Sequence, residues 1–167
     1  GRSDNMQWLD HQRLGYNYRM SELSAALGVA QLSKLDYMIS ERKKIAGFYH
    51  KHLENHSSLL NIPHTHDLNE HTWFVYVVKV KNIKNESTRN KLIFNLGKQG
   101  ISTKPYLPAI HLFSFYKKEF GYKKGDFPIT EEVSRSSVAL PFYIGLKESD
   151  VKHITNKLIR EIKSLKS

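Results

Sequence analysis

The chain has 167 residues, 40% of them hydrophobic, which is the length of one ordinary domain with enough apolar material for its own core. It carries 26 Lys and Arg against 16 Asp and Glu, a formal charge of +10, so phosphate-bearing ligands and polyanions are admissible partners and composition does not choose among them. Without cysteine, a disulfide framework, a thiolate zinc site, an iron–sulfur cluster and a cysteine nucleophile are all excluded.

In chain order, Gly1 to Arg19 is polar and aromatic without a sustained period and reads as an ordered loop or short helix. Ser21 is a helix cap and Glu22 suits the positive end of a helix dipole. Leu23, Ala26, Leu27 and Ala30, followed by Leu35, Met38, Ile39, Ile45 and Phe48, continue an apolar stripe to about Glu54. At ~1.5 Å per residue that helix approaches 50 Å, so it is expected to kink or to connect two bodies. Ala25, Ala26 and Gly28 would let another backbone approach, either at an interface or in ordinary core packing.

Asn55 to Glu70 reads as a polar turn region, and Thr72 to Val80, rich in aromatic and β-branched residues, as a buried strand. Ser87 is placed to cap a helix over Thr88 to Lys98, with Gly100 closing it in a left-handed conformation. A short strand from Ile101 to Tyr106 ends before Pro108, and His111 to Tyr122 suggests a short helix with a loop. A helix over Ile129 to Ser136, an extended piece at Val138 to Leu140, and a final amphipathic helix after Asp150 complete the pattern. In that last helix Val151, Ile154, Leu158, Ile162 and Leu165 recur every three or four residues. The expected class is α+β, helices covering a small sheet.

No apolar run approaches the ~20 residues that span a bilayer, and the chain is expected to be soluble, cytoplasmic and without a membrane partner. It opens at Gly1 rather than methionine and is expected to be a segment of something longer. His64, His66 and His71 lie in a polar turn without a diagnostic ligand spacing, so no metal site is assigned. From Lys79 to Lys124 there are 11 Lys and Arg against Glu86 and Glu119, interleaved with Phe113, Phe115, Tyr116 and Tyr122. Cations on phosphates and rings on bases would suit nucleic acid, but no recognition-helix, zinc-finger or ribonucleoprotein signature accompanies them, and a solvated basic face is the preferred reading. Glycine-rich phosphate loops and the nucleophile-elbow motif are missing. Just before the first helix, Asn17 and Arg19 offer donors to an anion, with local capping and a surface ion pair as the competing reading.

The segment GYNYRMSELSAALGVAQLSKLD, Gly15 to Asp36, resembles the sequence following the cofactor lysine in pyridoxal-phosphate-dependent nucleotide-sugar aminotransferases of the DegT/StrS type. The resemblance continues in order through Arg42 and Tyr49, the strand at Trp73 to Val80, GISTKPYLPAIHLFSFY at Gly100 to Tyr116, FPITEEVSRSSVALPFY at Phe127 to Tyr143, and the terminal helix. It implies the α+β small C-terminal domain of a type I, aspartate-aminotransferase-like enzyme, a small sheet covered by helices and preceded by a long interdomain helix. Residues 1–54 would then close the large domain and supply the dimer-facing loop and connecting helix, and 55–167 would form the small domain.

By the same resemblance the complete enzyme is a homodimer with shared active sites that moves an amino group from glutamate to a keto group of a nucleotide-linked deoxysugar, with pyridoxal phosphate as electron sink. Asn17 matches the position reaching the cofactor phosphate of the neighbouring subunit, and Arg19 a nearby polar position on a substrate or donor anion. Tyr106 and His111 match the sugar-nucleotide end of the cleft. Lys104 stands where relatives often carry Arg, which would replace a bidentate phosphate contact by a point charge. The resemblance puts the Schiff-base lysine upstream of the Gly15 segment, so none of the lysines here is assigned that role and the chain alone is expected to be inactive. A dehydratase of the same family, or a non-catalytic basic module that binds nucleic acid, are the alternatives.

Overall fold

The computed structural model describes residues 14–66 and 68–165. The chain divides into two compact units, residues 1–36 and 37–167.

In the first unit, Ser21 adopts an extended conformation and its Oγ accepts from Ser24 N–H at 3.3 Å, which starts α1 (Glu22–Leu32). The helix stops because Lys34 N–H bonds Gln31 C=O and the Ser33 hydroxyl donates to Ala30 C=O, a local side-chain alternative to the helical ladder. The single helix expected from Ser21 to Glu54 is therefore two, and α2 (Leu35–Leu53) follows directly. α1 buries none of its residues.

The second unit is built on a four-stranded antiparallel sheet in the order β1-β2-β4-β3. Its strands are β1 (Leu60–Asn61), β2 (Tyr76–Val80), β3 (Lys104–Pro105) and β4 (Ser137–Leu140). β2 and β4 are the central pair, Tyr76 opposite Leu140 and Val78 opposite Val138. The helices are α3 (Glu86–Lys98), α4 (Ser114–Phe120), α5 (Pro128–Ser136) and α6 (Glu148–Ser164).

Tyr76, Val78 and Val80 of β2, Ile45, Tyr49 and Leu53 of α2, Leu92 and Leu96 of α3, and Val151, Leu158 and Ile162 of α6 form one apolar core. Asn95 of α3 and Gln99, which caps that helix, donate to Glu161 of α6 at 3.0 and 2.6 Å, which fixes the register of the helix pair. Arg89 is buried in α3, and its Nη1 donates at 2.6 Å to Ser134 C=O near the end of α5. That carbonyl would otherwise be a buried orphan of the helix terminus.

Candidate functional site

The first unit contributes an exposed loop ahead of α1. Tyr16 stacks on Tyr18 with centroids 5.2 Å apart, leaving Asn17 and Arg19 as the polar pair. Arg19 Nε donates to Asn17 Oδ1 at 3.1 Å, and Arg19 N–H donates to Asn17 C=O at 3.0 Å. The amide oxygen is thereby engaged, and what remains on the pair is the Asn17 Nδ2 group and the two Nη groups of Arg19. These are donors only, and among the described residues they have no partner. A donor set without an acceptor, beside the N-terminus of an 11-residue helix, is suited to an anion.

The second unit carries the other three expected residues on one continuous segment. β3 is an edge strand whose Lys104 lies opposite Ala139 and whose Pro105 lies opposite Val138. An edge position accommodates Pro105, which has no N–H to give. Lys104 is exposed and Tyr106 half-buried. Leu107 follows with φ +52°, a left-handed conformation that costs a non-glycine residue about 1–2 kcal/mol and is disfavoured further before Pro108. The segment then turns through one 3-10 turn, Ile110–Leu112, which carries His111.

His111 is not at the surface: it retains only 7% exposure. Its Nε2 lies 3.0 Å from Glu131 Oε1, and the same oxygen accepts Gly125 N–H at 2.7 Å. The carboxyl of Glu131 is held below the usual carboxylate range, first by the Gly125 N–H and then by His111. Phe127 meets the imidazole edge-on at 4.8 Å and Tyr122 at 6.4 Å, so two rings wall the pair. No hydrogen bond or ring contact joins Lys104 or Tyr106 to His111 among the described residues.

Sequence reasoning missed Glu131, although the residue lies in the quoted Phe127 to Tyr143 block. A carboxylate in the first turn of a helix that opens with Pro128 was a visible signal. That it pairs with His111, 20 residues earlier, was not.

The turn histidines are used locally. His66 Nδ1 accepts Leu68 N–H at 3.3 Å, His71 Nδ1 accepts Trp73 N–H at 2.9 Å, and the His71 ring stacks on Trp73 at 4.0 Å. Of the basic run, Lys79 pairs with Glu132 at 3.3 Å and Arg89 is buried, so the charge excess is not one uniform face. Among the described residues no helix is long and apolar enough to cross a membrane.

Residues 1–159 match the profile of the DegT/DnrJ/EryC1/StrS aminotransferase family. The chain belongs to that family.

Relatives include the spore coat polysaccharide biosynthesis protein SpsC of Bacillus subtilis, 33% identical over 96% of this chain and 41% of that protein. A GDP-perosamine synthase of Caulobacter vibrioides is 28% identical over 84% of this chain and 37% of its own length. Among solved structures, Helicobacter pylori PseC, an aminotransferase involved in the biosynthesis of pseudoaminic acid, superposes with TM-score 0.75 at 20% identity, covering 93% of this chain and 41% of that one. An Escherichia coli GDP-4-keto-6-deoxy-D-mannose-3-dehydratase with bound hydrated pyridoxal phosphate superposes with TM-score 0.71 at 24% identity, covering 86% of this chain and 36% of that one. The architecture is thus the α+β C-terminal part of the type I fold of the DegT/DnrJ/EryC1/StrS family. The same fold serves amination and dehydration, so fold alone does not separate them. The chain spans about two fifths of the length of the relatives it matches.

Proposed function

We propose that the chain is the C-terminal part of a cytoplasmic, pyridoxal-phosphate-dependent aminotransferase that moves an amino group from glutamate to a keto group of a nucleotide-linked deoxysugar. The observation that carries this reading is the match of residues 1–159 to the aminotransferase family profile. In family terms, residues 1–54 close the large domain and supply the connecting helix, and 55–167 form the small domain. A homodimer with shared sites accords with α1, which leaves Leu23, Leu27, Val29 and Leu32 exposed.

The residues present fit the anionic end of the cofactor: Asn17 Nδ2 and the two Nη groups of Arg19 are free donors next to a helix start. Asn17 would hold the phosphate by a neutral amide, and Arg19 would hold a carboxylate or phosphate of donor or substrate by a bidentate contact. Bound pyridoxal phosphate supplies the electron sink for carbanion chemistry. Lys104 and Tyr106 would orient the sugar nucleotide, Lys104 as a point charge on its phosphates and Tyr106 through its ring and hydroxyl. His111 would act at the same end.

The test has two parts. The chain mixed with pyridoxal phosphate, glutamate and a nucleotide-linked ketosugar should show no turnover, because the resemblance implies that the cofactor lysine lies upstream of Gly15. Residues 1–159 transplanted into the matching segment of the C. vibrioides synthase should retain amino transfer, and Asn17→Ala in that chimera should weaken cofactor retention by about tenfold or more, the value of one lost charge-assisted hydrogen bond. Robust turnover by the chain alone, or cofactor retention indifferent to Asn17→Ala, would overturn these assignments.

A further inference from the structure

We infer that Glu131 is the positioning residue for His111, holding the imidazole in its Nε2–H form so that the ring presents Nδ1 to a ligand as a hydrogen-bond acceptor. The inference deepens the proposed role of His111 and rests on that reading for its ligand, though not for its geometry. An ionised carboxylate can only accept, so the nitrogen 3.0 Å from Glu131 Oε1 must be the one bearing hydrogen. The carboxylate stays ionised because the Gly125 N–H donates to the same oxygen at 2.7 Å and because Glu131 sits in the first turn of α5, near its positive end.

The oxygen is itself fixed in place. Gly125 lies at φ +99°, in a turn closed by Lys123 N–H on Asp126 Oδ2 at 2.9 Å. Phe127 at 4.8 Å and Tyr122 at 6.4 Å restrict rotation of the imidazole. Among the described residues Nδ1 has no hydrogen-bond partner. A neutral imidazole so held takes hydroxyl or N–H groups at Nδ1 and disfavours a phosphate oxygen, which also only accepts. The chemistry divides along the segment: Lys104 suits the phosphates of a sugar nucleotide, and His111 suits a hydroxyl or amide N–H of its sugar or base.

Long-range proton–nitrogen NMR of the ¹⁵N-labelled chain without ligand tests the geometry apart from the function. The measurement is made at mildly alkaline pH, and His111 is assigned by loss of its signals in His111→Gln. The expected pattern is a protonated Nε2, its hydrogen slowed in exchange with solvent, and an unprotonated Nδ1. In Glu131→Ala the slowed proton should vanish and the two nitrogen shifts should move toward each other. In Glu131→Gln, which keeps an acceptor for Nε2–H, the proton should persist but move upfield, because its acceptor is no longer charged. A protonated Nδ1 in the parent chain, or His111 signals unchanged in either Glu131 variant, would overturn the inference. If Glu131→Ala fails to fold, the Glu131→Gln spectrum decides alone. None of these outcomes depends on sugar-nucleotide binding, so failure of the functional reading would appear separately, in the chimera.

Discussion

The stacked pair Tyr49 and Tyr76 gives the chain a built-in alkaline limit. Both are fully buried, their rings 4.6 Å apart and 22° from parallel, and Tyr49 Oη donates to Pro141 C=O at 2.6 Å. Burial pushes both phenols well above their ordinary range, and Tyr76 and Tyr143 push Tyr49 further. Because the folded-state values are raised, the folded chain binds more protons than the unfolded one in the window from the unfolded phenol value of about 10 up to the folded-state values. Stability from this source is therefore whole below pH 10 and falls as pH rises toward the folded-state values. For two phenols that stay protonated in the folded chain, linkage gives a loss of roughly 1 kcal/mol at pH 10 and roughly 3 kcal/mol at pH 11. The assay is urea unfolding followed by circular dichroism from pH 8 to 11, on the parent and on Tyr49→Phe/Tyr76→Phe. At pH 8 the double variant should be less stable by about 1–2 kcal/mol, since the Pro141 carbonyl loses its donor. The gap should then close and reverse as pH rises, because the variant has nothing to ionise there and lysine titration is common to both. Parallel stability curves up to pH 11 would refute the reasoning.

Arg89→Met keeps the stem and removes the donor to Ser134 C=O, and should destabilise the chain by about 2 kcal/mol, the value of a charged, buried hydrogen bond less the relief of desolvation. A change in urea midpoint equivalent to under about 0.5 kcal/mol would show that the α5 terminus needs no such partner. Leu107→Gly should be neutral or stabilising by up to ~1 kcal/mol, since the exposed side chain forfeits little and the left-handed backbone at φ +52° is relieved; a clear loss of stability would mean that the leucine is held by contacts. Gly125→Ala meets open space but strains a backbone at φ +99°, and should cost about 1 kcal/mol in thermal unfolding and weaken the slowed His111 proton signal. An unchanged His111 signal there would detach the Gly125 turn from the imidazole.

Where the sequence was legible, one physical signal dominated. In α6 the predicted Val151, Ile154, Leu158 and Ile162 are all buried, because an apolar stripe at helical spacing has only one way to leave water. At α3 the expected cap was placed too late: Asn85 Oδ1 accepts Thr88 N–H at 2.9 Å, so the helix begins at Glu86 and the expected Ser87 cap lies inside its first turn. The strand expected from Thr72 narrows to Tyr76–Val80, since Trp73 takes φ +50° and the partner β4 is only four residues long. β1 escaped notice because two paired residues in a polar stretch leave no period to detect. A kink in the long first helix was expected from its length, but its position was hidden, because Ser33 and Lys34 interrupt the ladder without interrupting the apolar spacing.

The candidate site divides in the same way between what is local along the chain and what is not. Asn17 and Arg19 are two residues apart, so their joint donor character could be read from the sequence and the structure adds only which oxygen is consumed. His111 and Glu131 are brought together by the 3-10 turn at one end and by the Pro128 start of α5 at the other. Family resemblance could mark His111 as a contact, but it carries no information on which ring nitrogen is the donor. That is set by the carboxylate oxygen 3.0 Å from Nε2. The loop before α1 carries donors, and the imidazole held as inferred would offer an acceptor. Loss of the Glu131 charge should therefore disturb recognition of ligand hydroxyls and N–H groups while leaving anion contacts at Asn17 and Arg19 intact.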